Sequence, residues 1–254
     1  MLMNRSVKDV SECYTYEEGM PWNHVEKVIM ERRSIRKFKN DPIPDSLIKR
    51  ILEAGRFAPS AGNQQPWKFV VIKSPEIIAE MEKDAAMLTK ILMFFIDYPS
   101  FTGLRRKVSK FFAHAVSFRL FSHELHPAPF VAMSQAAKDK TLYWHNAPVV
   151  ILILEDQRGV SNPAVDIGVA GQNMVIAAHS LGVGSCWVGF SKLLTFLPKW
   201  KKKFGLRYPY KLRESIAFGR PASKADGEVV REVQLVEWFE GGMKDSPRTE
   251  RQGE

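Results

Sequence analysis

Apolar residues recur along this chain with two different spacings, and their alternation predicts helices packed on a sheet. A helical spacing of three and four residues occurs over Trp22–Met30 and again over Leu47–Leu52. The segment Trp67–Ile72 is expected to be a buried strand, and the continuous apolar run Val149–Leu154 is typical of a strand that is covered on both faces. Together these runs predict an α+β or α/β layered sandwich.

The second half of the chain continues the same alternation. A long helix is expected over Ala164–Leu181, followed by a short strand at Ser185–Gly189. Leu197–Pro198 begins another short helix, and Leu212–Gly219 predicts a last core strand. The elements therefore form one domain with no internal repeat.

Residues 92–146 differ in composition from the rest, being rich in Phe, Met, His and basic residues. Helices are expected around Leu104–Leu120 and Ser134–His145. Because the strand that follows belongs to the sheet, we interpret this segment as a helical insertion and a candidate lid over a pocket. The predicted organisation is an N-terminal arm over 1–22, a single domain over 23–240 and a polar tail over 241–254.

Composition limits the compartment and the class of protein. The 254 residues are 45% hydrophobic, which is enough for a substantial core. Two cysteines, Cys13 and Cys186, are too few for a disulfide framework and fit a cytoplasmic location. The sequence contains no signal peptide and no apolar run of the roughly 18 residues that a membrane helix needs. Its His, Cys, Asp and Glu residues do not have the spacing of metal ligands. We therefore expect a cytoplasmic protein without a metal or a membrane partner.

The net charge of +9 indicates an anionic ligand such as a phosphate-bearing cofactor. Nucleic acid is the competing interpretation. Basic and aromatic residues combine only at Lys199–Lys211, which is equally consistent with a solvated helix face. Nucleic-acid binding is not expected.

Two polar stretches stand out from the apolar pattern. One is the cationic cluster Arg32–Arg36, in which arginines suit a phosphate and Ser34 adds a neutral hydrogen bond. The other is the loop Pro59–Pro66, whose amide side chains suit the donor and acceptor edge of a heterocycle. Taken singly, the first is also consistent with a solvated helix end and the second with a connecting turn. Together they indicate a mononucleotide-like cofactor.

The chain resembles the nitroreductase family of FMN-dependent oxidoreductases over an ordered set of segments. The matching segments cover both ends and the middle of the chain: Arg32–Phe38, Ala58–Ile72, Asn146–Leu154, Asp166–Gly189 and Phe218–Lys224. The resemblance implies an α+β layered sandwich with a central, mostly antiparallel sheet flanked by helices. It also implies a homodimer with FMN at the subunit interface.

The resemblance assigns cofactor-binding roles to particular residues of the first half. Arg32, Arg33, Ser34 and Arg36 would hold the phosphate and ribityl chain or the pyrimidine edge. Pro59 and Ser60 would come from the partner subunit, and Asn63, with Gln65 less securely matched, would bond the flavin or its ribityl hydroxyls.

The second half would supply the surface beneath the flavin ring. The segment Cys186, Trp187, Val188 and Gly189 matches the loop whose backbone faces the flavin ring and its N5. Family members carry a Pro-x-Glu-Gly loop there, so the carboxylate is missing and a contact at Val188 must use the main chain. Arg231, or else Lys224, matches the position of a phosphate-binding cation.

The implied activity is transfer of hydride from NAD(P)H through flavin N5 to a nitroaromatic, a quinone or a similar acceptor in a ping-pong mechanism. The flavin carries this chemistry, and no catalytic side chain is required. Alternatives are a specialised member of the family, such as a reductive dehalogenase, a flavin-cleaving or a ferredoxin-coupled enzyme, or a non-catalytic flavin-binding protein. Cys186 has no histidine partner placed by the sequence, so a packing or backbone role is expected.

Overall fold

The protein is described by a computed structural model that covers residues 19–97, 101–120, 135, 142–223, 231–242 and 245–252. The chain divides into two compact units, Met1–Ser223 and Lys224–Glu254. Among the described residues, no helix is both long and apolar enough to cross a membrane.

The first unit is built on a four-stranded sheet. Its strands are β1 (Trp67–Ile72), β2 (Val149–Asp156), β3 (Gly184–Val188) and β4 (Tyr210–Gly219). They lie in the order β1-β2-β4-β3, and each neighbouring pair is antiparallel. The antiparallel sheet of an α+β fold is therefore confirmed, and β1 has the bounds that the sequence predicted.

Helices cover both faces of this sheet. They are α1 (His24–Glu31), α2 (Asp45–Arg56), α3 (Pro75–Ile96), α4 (Gly103–Leu120), α5 (Pro163–Ser180) and α6 (Pro198–Phe204). Alternate residues of β2 enter different cores. Val150, Leu152 and Leu154 pack with α3 and α6, whereas Val149, Ile151 and Ile153 pack with α2 and α5.

Burial on both faces explains why β2 reads as a continuous apolar run. Its residues Val149–Leu154 are at most 1% exposed, and each such side chain contributes about 1.5–3 kcal/mol to stability.

On one face of the sheet, Gly55 of α2 lets Met174 of α5 approach closely: a Cβ on Gly55 would lie 2.8 Å from Met174 Cγ. Asn173 Nδ2 donates to the Ala54 carbonyl at 3.2 Å, so this polar side chain of α5 holds the end of α2.

The insertion is partly described. Helix α4 confirms the prediction over Leu104–Leu120, and it packs against the end of α3 through Ser109, whose hydroxyl donates to the Phe95 carbonyl at 2.6 Å. The helix predicted over Ser134–His145 lies mostly outside the described residues. Its predicted end is wrong, because Leu142–Asn146 is non-helical and contains a tight turn.

The second unit contains a hairpin of β5 (Gln234–Trp238) and β6 (Arg248–Gln252), paired antiparallel. Arg248 stacks on Trp238, with 5.3 Å between the guanidinium carbon and the ring centroid, and forms an ion pair with Glu240 at 3.1 Å. Part of the predicted polar tail over 241–254 thus forms a strand.

Candidate functional site

The cationic segment Arg32–Arg36 lies along the edge strand β3. Ser34 forms a parallel bridge with Ser185, and Ile35 N donates to the Ser185 carbonyl at 2.9 Å. Gly184 is required for this approach, because a Cβ on it would lie 2.9 Å from Ile35 Cγ1. Two stretches that the sequence separates by about 150 residues are therefore held together by main-chain contacts.

The same segment is also bonded on its C-terminal side. Ala222 N donates to the Lys37 carbonyl at 3.0 Å, and Lys39 N donates to the Arg220 carbonyl at 2.8 Å. Phe38 is buried against Gly219, where a Cβ would lie 2.6 Å from Phe38 Cδ1. The segment is thus fixed between β3 and the chain that follows β4.

Two arginines of this segment act on Cys186 of β3. Burial raises the pKa of the Cys186 thiol, and the charges of Arg36 and, to a smaller extent, Arg32 oppose this effect. A buried thiol with a raised pKa stays protonated and is a poor nucleophile. This supports the packing role expected for Cys186.

Arg36 also lies near His145, a residue that the sequence interpretation did not assign to the site. Burial, with a smaller contribution from the charge of Arg36, lowers the pKa of His145 to about 4. His145 and Asn146 have φ values of 55° and 57°, and Ala147 N donates to the Trp144 carbonyl at 2.9 Å. These are the features of a type I′ turn, for which only Asn146 gave a sequence signal.

The other arginines of the segment have different surroundings. Arg33 Nη1 donates to the carbonyls of Met30 at 2.6 Å and of Arg32 at 3.0 Å, so its guanidinium caps the C-terminal end of α1. Arg32 is half-buried. Burial lowers the pKa of His179, with Arg32 and Arg33 adding to the effect and Glu31 opposing it, so this end of α5 faces the same cations.

The segment Cys186–Gly189 forms the last part of β3 and the residue after it, next to the cationic segment. The Trp187 ring lies over Gly171 of α5, where a Cβ would lie only 2.1 Å from the ring. Val188 is buried, and its carbonyl accepts hydrogen bonds from Ser215 Oγ at 2.8 Å and from Ser191 Oγ at 3.3 Å. Gly189 is exposed. The backbone is therefore held in place at the buried Val188 and becomes exposed at the next residue, Gly189.

The amide loop Pro59–Pro66 is bonded mainly to itself. Ser60 Oγ accepts from Gln65 N at 2.9 Å, and Gln65 Nε2 donates to Asn63 Oδ1 at 3.2 Å. Gly62, Asn63 and Gln65 all have positive φ values, between 50° and 58°. Gln64 Oε1 accepts from Val160 N at 3.0 Å and ties the loop to the turn after β2.

Within one chain, this loop does not meet the cationic segment. The loop precedes Trp67, which pairs with Glu155 near the end of β2. Ser185, where the cationic segment binds, pairs with Phe218, which in turn pairs with Val149 at the start of β2. The two stretches therefore lie at opposite ends of the sheet.

The remaining assigned residues are the two cations near the C-terminus. Arg231 is exposed in the second unit, and Lys224 lies outside the described residues. In the described ranges, no group of three His, Cys, Asp or Glu side chains is arranged to hold a metal ion.

The chain is similar to known proteins in both sequence and structure. A protein from Methanothermobacter thermautotrophicus, provisionally named NADH dehydrogenase/NAD(P)H nitroreductase, is 31% identical over 166 residues, 64% of this chain and 59% of its own length. The iodotyrosine deiodinase of Haliscomenobacter hydrossis is 41% identical over 54 residues, 21% of this chain and 24% of its own length. This chain thus spans less than two thirds of either relative.

A solved structure shares the fold. The crystal structure of a nitroreductase with bound FMN from Desulfitobacterium hafniense superposes with a TM-score of 0.61 at 23% identity, covering 83% of this chain and 96% of that one. A family model described as the Nitroreductase family matches residues 29–220, a stretch that contains the cationic segment, the amide loop and β1–β4. This chain therefore belongs to the nitroreductase family.

Proposed function

We propose that the protein is an FMN-dependent oxidoreductase that transfers hydride from NAD(P)H to a nitroaromatic, a quinone or a similar acceptor in a ping-pong mechanism. The observation that carries this proposal is the bonding of the cationic segment Arg32–Arg36 along β3, beside Cys186–Gly189. The relative from Methanothermobacter, whose name includes NAD(P)H nitroreductase activity, supports it.

The residues present fit a flavin mononucleotide. Arg36 and the half-buried Arg32 offer guanidinium groups, which suit a phosphate or the electron-rich edge of a reduced flavin. Gly189 is exposed at the end of β3 and has no side chain of its own; the neighbouring Glu214 carboxylate is ion-paired with Lys192. Cations and an open backbone at one edge of the sheet are the features that an anionic, planar cofactor needs.

Bound FMN would supply the hydride chemistry at its N5. The protein residues bind it, orient it and stabilise its negative charge, with Arg36 the candidate beside β3. We assign Cys186 a packing role, because it is buried and burial raises the pKa of its thiol. Because donor and acceptor would use the same place in turn, no side chain specific to either step is required.

A second copy of the chain is part of the proposal. The amide loop and the cationic segment lie at opposite ends of one sheet, so one chain does not bring Ser60 and Asn63 to the flavin that Arg36 holds. In a homodimer with the flavin at the interface, the loop of one subunit would serve the flavin of the other.

A spectroscopic experiment tests the proposed function. The purified protein is mixed with FMN, freed of unbound cofactor and examined for flavin absorbance; NADH or NADPH is then added without oxygen, followed by a nitroaromatic compound. We expect the absorbance to bleach with the nucleotide and to recover with the acceptor. A protein that retains no FMN would refute the proposal, and one that binds FMN without bleaching would be a non-catalytic flavin-binding protein.

Reductive dehalogenation is a second candidate, favoured by the 41% identity to an iodotyrosine deiodinase over 54 residues. The insertion would then select the substrate, since α3 and α4 expose aromatic side chains such as Phe94 and Phe111. Reoxidation of the reduced flavin by a halogenated phenol, but not by a nitroaromatic, would favour this candidate over the first.

A further inference from the structure

A chain of buried hydrogen bonds runs from α3 to the end of β3. The carboxylate of Glu82 accepts from Tyr143 N at 2.8 Å and from Trp144 N at 2.6 Å. The indole Nε1 of Trp144 donates to Ser215 Oγ at 3.0 Å, and Ser215 Oγ donates to the Val188 carbonyl at 2.8 Å. Trp144 and Ser215 are each 0% exposed, so water does not compete with these bonds.

This arrangement determines how the peptide between Val188 and Gly189 is oriented. The Val188 carbonyl accepts from two buried hydroxyls, those of Ser215 and Ser191. Reversing the peptide would leave both hydroxyls without their acceptor, which is unfavourable in a dry interior. The carbonyl is therefore held toward the core.

The direction of the carbonyl determines the direction of the adjoining N–H. In a planar trans peptide the C=O and the N–H point in opposite directions. Among the described residues, the one cis peptide is Tyr208–Pro209, so the peptide after Val188 is trans. The Gly189 N–H consequently points away from Ser215 and Ser191, and Gly189 itself is exposed.

We propose that Ser215, held by the indole of Trp144, is a positioning residue that directs the Gly189 N–H toward the bound flavin. This inference rests on the proposed function, in which Cys186–Gly189 faces the flavin ring. Oxidised flavin has a lone pair on N5 and accepts from an N–H, whereas reduced flavin carries a hydrogen on N5 and does not. A fixed N–H at that place therefore favours binding of the oxidised form and lowers the flavin midpoint potential.

The test uses Ser215→Ala and Trp144→Phe in the full-length protein loaded with FMN. The measured quantities are the dissociation constants of oxidised and reduced FMN, the midpoint potential and the thermal midpoint. We expect oxidised FMN to bind about three- to tenfold more weakly, with reduced FMN less affected. A tenfold change in that ratio corresponds to a midpoint potential about 30 mV higher. Ser191→Ala should act in the same direction and more weakly, because its bond to Val188 is 3.3 Å long.

Trp200→Phe is the matched control. Trp200 is 1% exposed and its indole Nε1 donates to Asp84 Oδ2 at 2.7 Å, so the same kind of buried bond is removed without touching Val188. This variant should melt at a lower temperature and keep the wild-type potential. Equal weakening of both redox forms in Ser215→Ala, or a potential shift in Trp200→Phe as large as in Trp144→Phe, would overturn the proposal. If the wild-type protein binds no FMN, the proposed function itself has failed, and this inference fails with it.

Discussion

The two polar stretches that the sequence singled out are held in different ways. The cationic segment is bonded on both sides by the main chain, to Ser185 of β3 and to Ala222 after β4. The amide loop is bonded chiefly through its own side chains, with Ser60 accepting from Gln65, and most of its residues are exposed. The first stretch is a half-buried segment fixed by main-chain hydrogen bonds to the sheet, and the second is a surface loop with a defined shape.

This difference indicates which part of the proposed site is complete in a single chain. The backbone on either side of Arg36 is fixed within one chain by the hydrogen bonds of Ile35 N to the Ser185 carbonyl and of Ala222 N to the Lys37 carbonyl. The loop holds Asn63 and Gln65 in the left-handed region, which Asn tolerates and which disfavours Gln, and these side chains contact mainly each other. The positive φ of Gln65 is a strained conformation, and such strain clusters at ligand-binding and switch sites. The comparison therefore supports a site shared by two subunits.

The largest expected effect separates the arginines of the cationic segment. Arg36→Ala should weaken FMN binding about 10- to 100-fold, since a hydrogen bond to a charged group contributes about 1.5–3 kcal/mol. Arg33→Ala is the matched variant, because the Arg33 guanidinium caps α1. It should lower the unfolding free energy by about 0.3–1 kcal/mol and leave FMN affinity within about threefold. Titration of each apoprotein with FMN, followed by flavin fluorescence, measures both affinities.

An equal loss of affinity in the two variants would show that Arg33 also binds the cofactor. In that case the capping contact with Met30 is exchanged for the phosphate when FMN binds. An unchanged FMN affinity in Arg36→Ala would contradict the placement of the cofactor beside β3. The cationic segment would then no longer count as part of the proposed site.

A smaller effect tests whether His145 is shielded from water in the folded chain. The folded-state pKa of His145 is about 4, below its ordinary value of 6.5. Between pH 6.5 and 4 the unfolded chain therefore binds more protons, and the unfolding free energy falls as the pH falls. His145→Asn keeps a residue that tolerates the left-handed turn and removes this titration.

On lowering the pH from 7.5 to 4.5, the unfolding free energy of the variant should fall by about 1–2 kcal/mol less than that of the wild type. This difference is smaller than the full pKa shift implies, because the imidazole is partly exposed to water. Urea unfolding at both pH values measures the change, and the difference at pH 7.5, where the imidazole is neutral in both states, is the internal control. Parallel pH profiles for the wild type and the variant would show that the pKa of His145 is not lowered by folding.

The sequence was sufficient for the elements whose signal is local. The apolar run at Val149–Leu154 became most of β2, which is buried on both faces as its composition predicts. The segment Trp67–Ile72 became β1 with the predicted bounds, although only Ile72 of it is buried. The likeness to the nitroreductase family then anticipated the fold and the mostly antiparallel sheet. The approach of Arg32–Arg36 to β3 depends on Gly184 and Ile35, which lie far apart in the chain, so periodicity alone did not reveal it.

The end of the insertion shows why some local structure could not be predicted from the sequence. A helix was predicted to reach His145, yet the backbone N–H groups of Tyr143 and Trp144 bind the carboxylate of Glu82, 61 and 62 residues away. The indole of Trp144 binds Ser215, a further 71 residues along. These contacts, between residues more than 60 positions apart, replace the local hydrogen bonds of a helix. They produce no periodic pattern in the sequence. The candidate positioning residues were therefore visible only in the folded chain.

The smallest expected effect on a single variant concerns the amide loop. Asn63→Ala should weaken FMN binding about threefold to tenfold, as expected for the loss of one neutral hydrogen bond. Because Asn63 is exposed, its removal should change the unfolding free energy by no more than about 0.5 kcal/mol. FMN titration and urea unfolding measure the two quantities.

Mixing the two site variants decides whether the loop serves the flavin of its own chain or that of a second copy. Arg36→Ala and Asn63→Ala subunits are denatured together, refolded and titrated with FMN. If each site takes Arg36 from one subunit and Asn63 from the other, random pairing gives about one quarter of the sites both wild-type residues, and these should bind FMN with wild-type affinity. If each site is built from one chain, no site regains both residues, and the mixture should bind as the average of its parents. The shared-site geometry requires the first result because Arg36 and Asn63 lie at opposite ends of the same sheet.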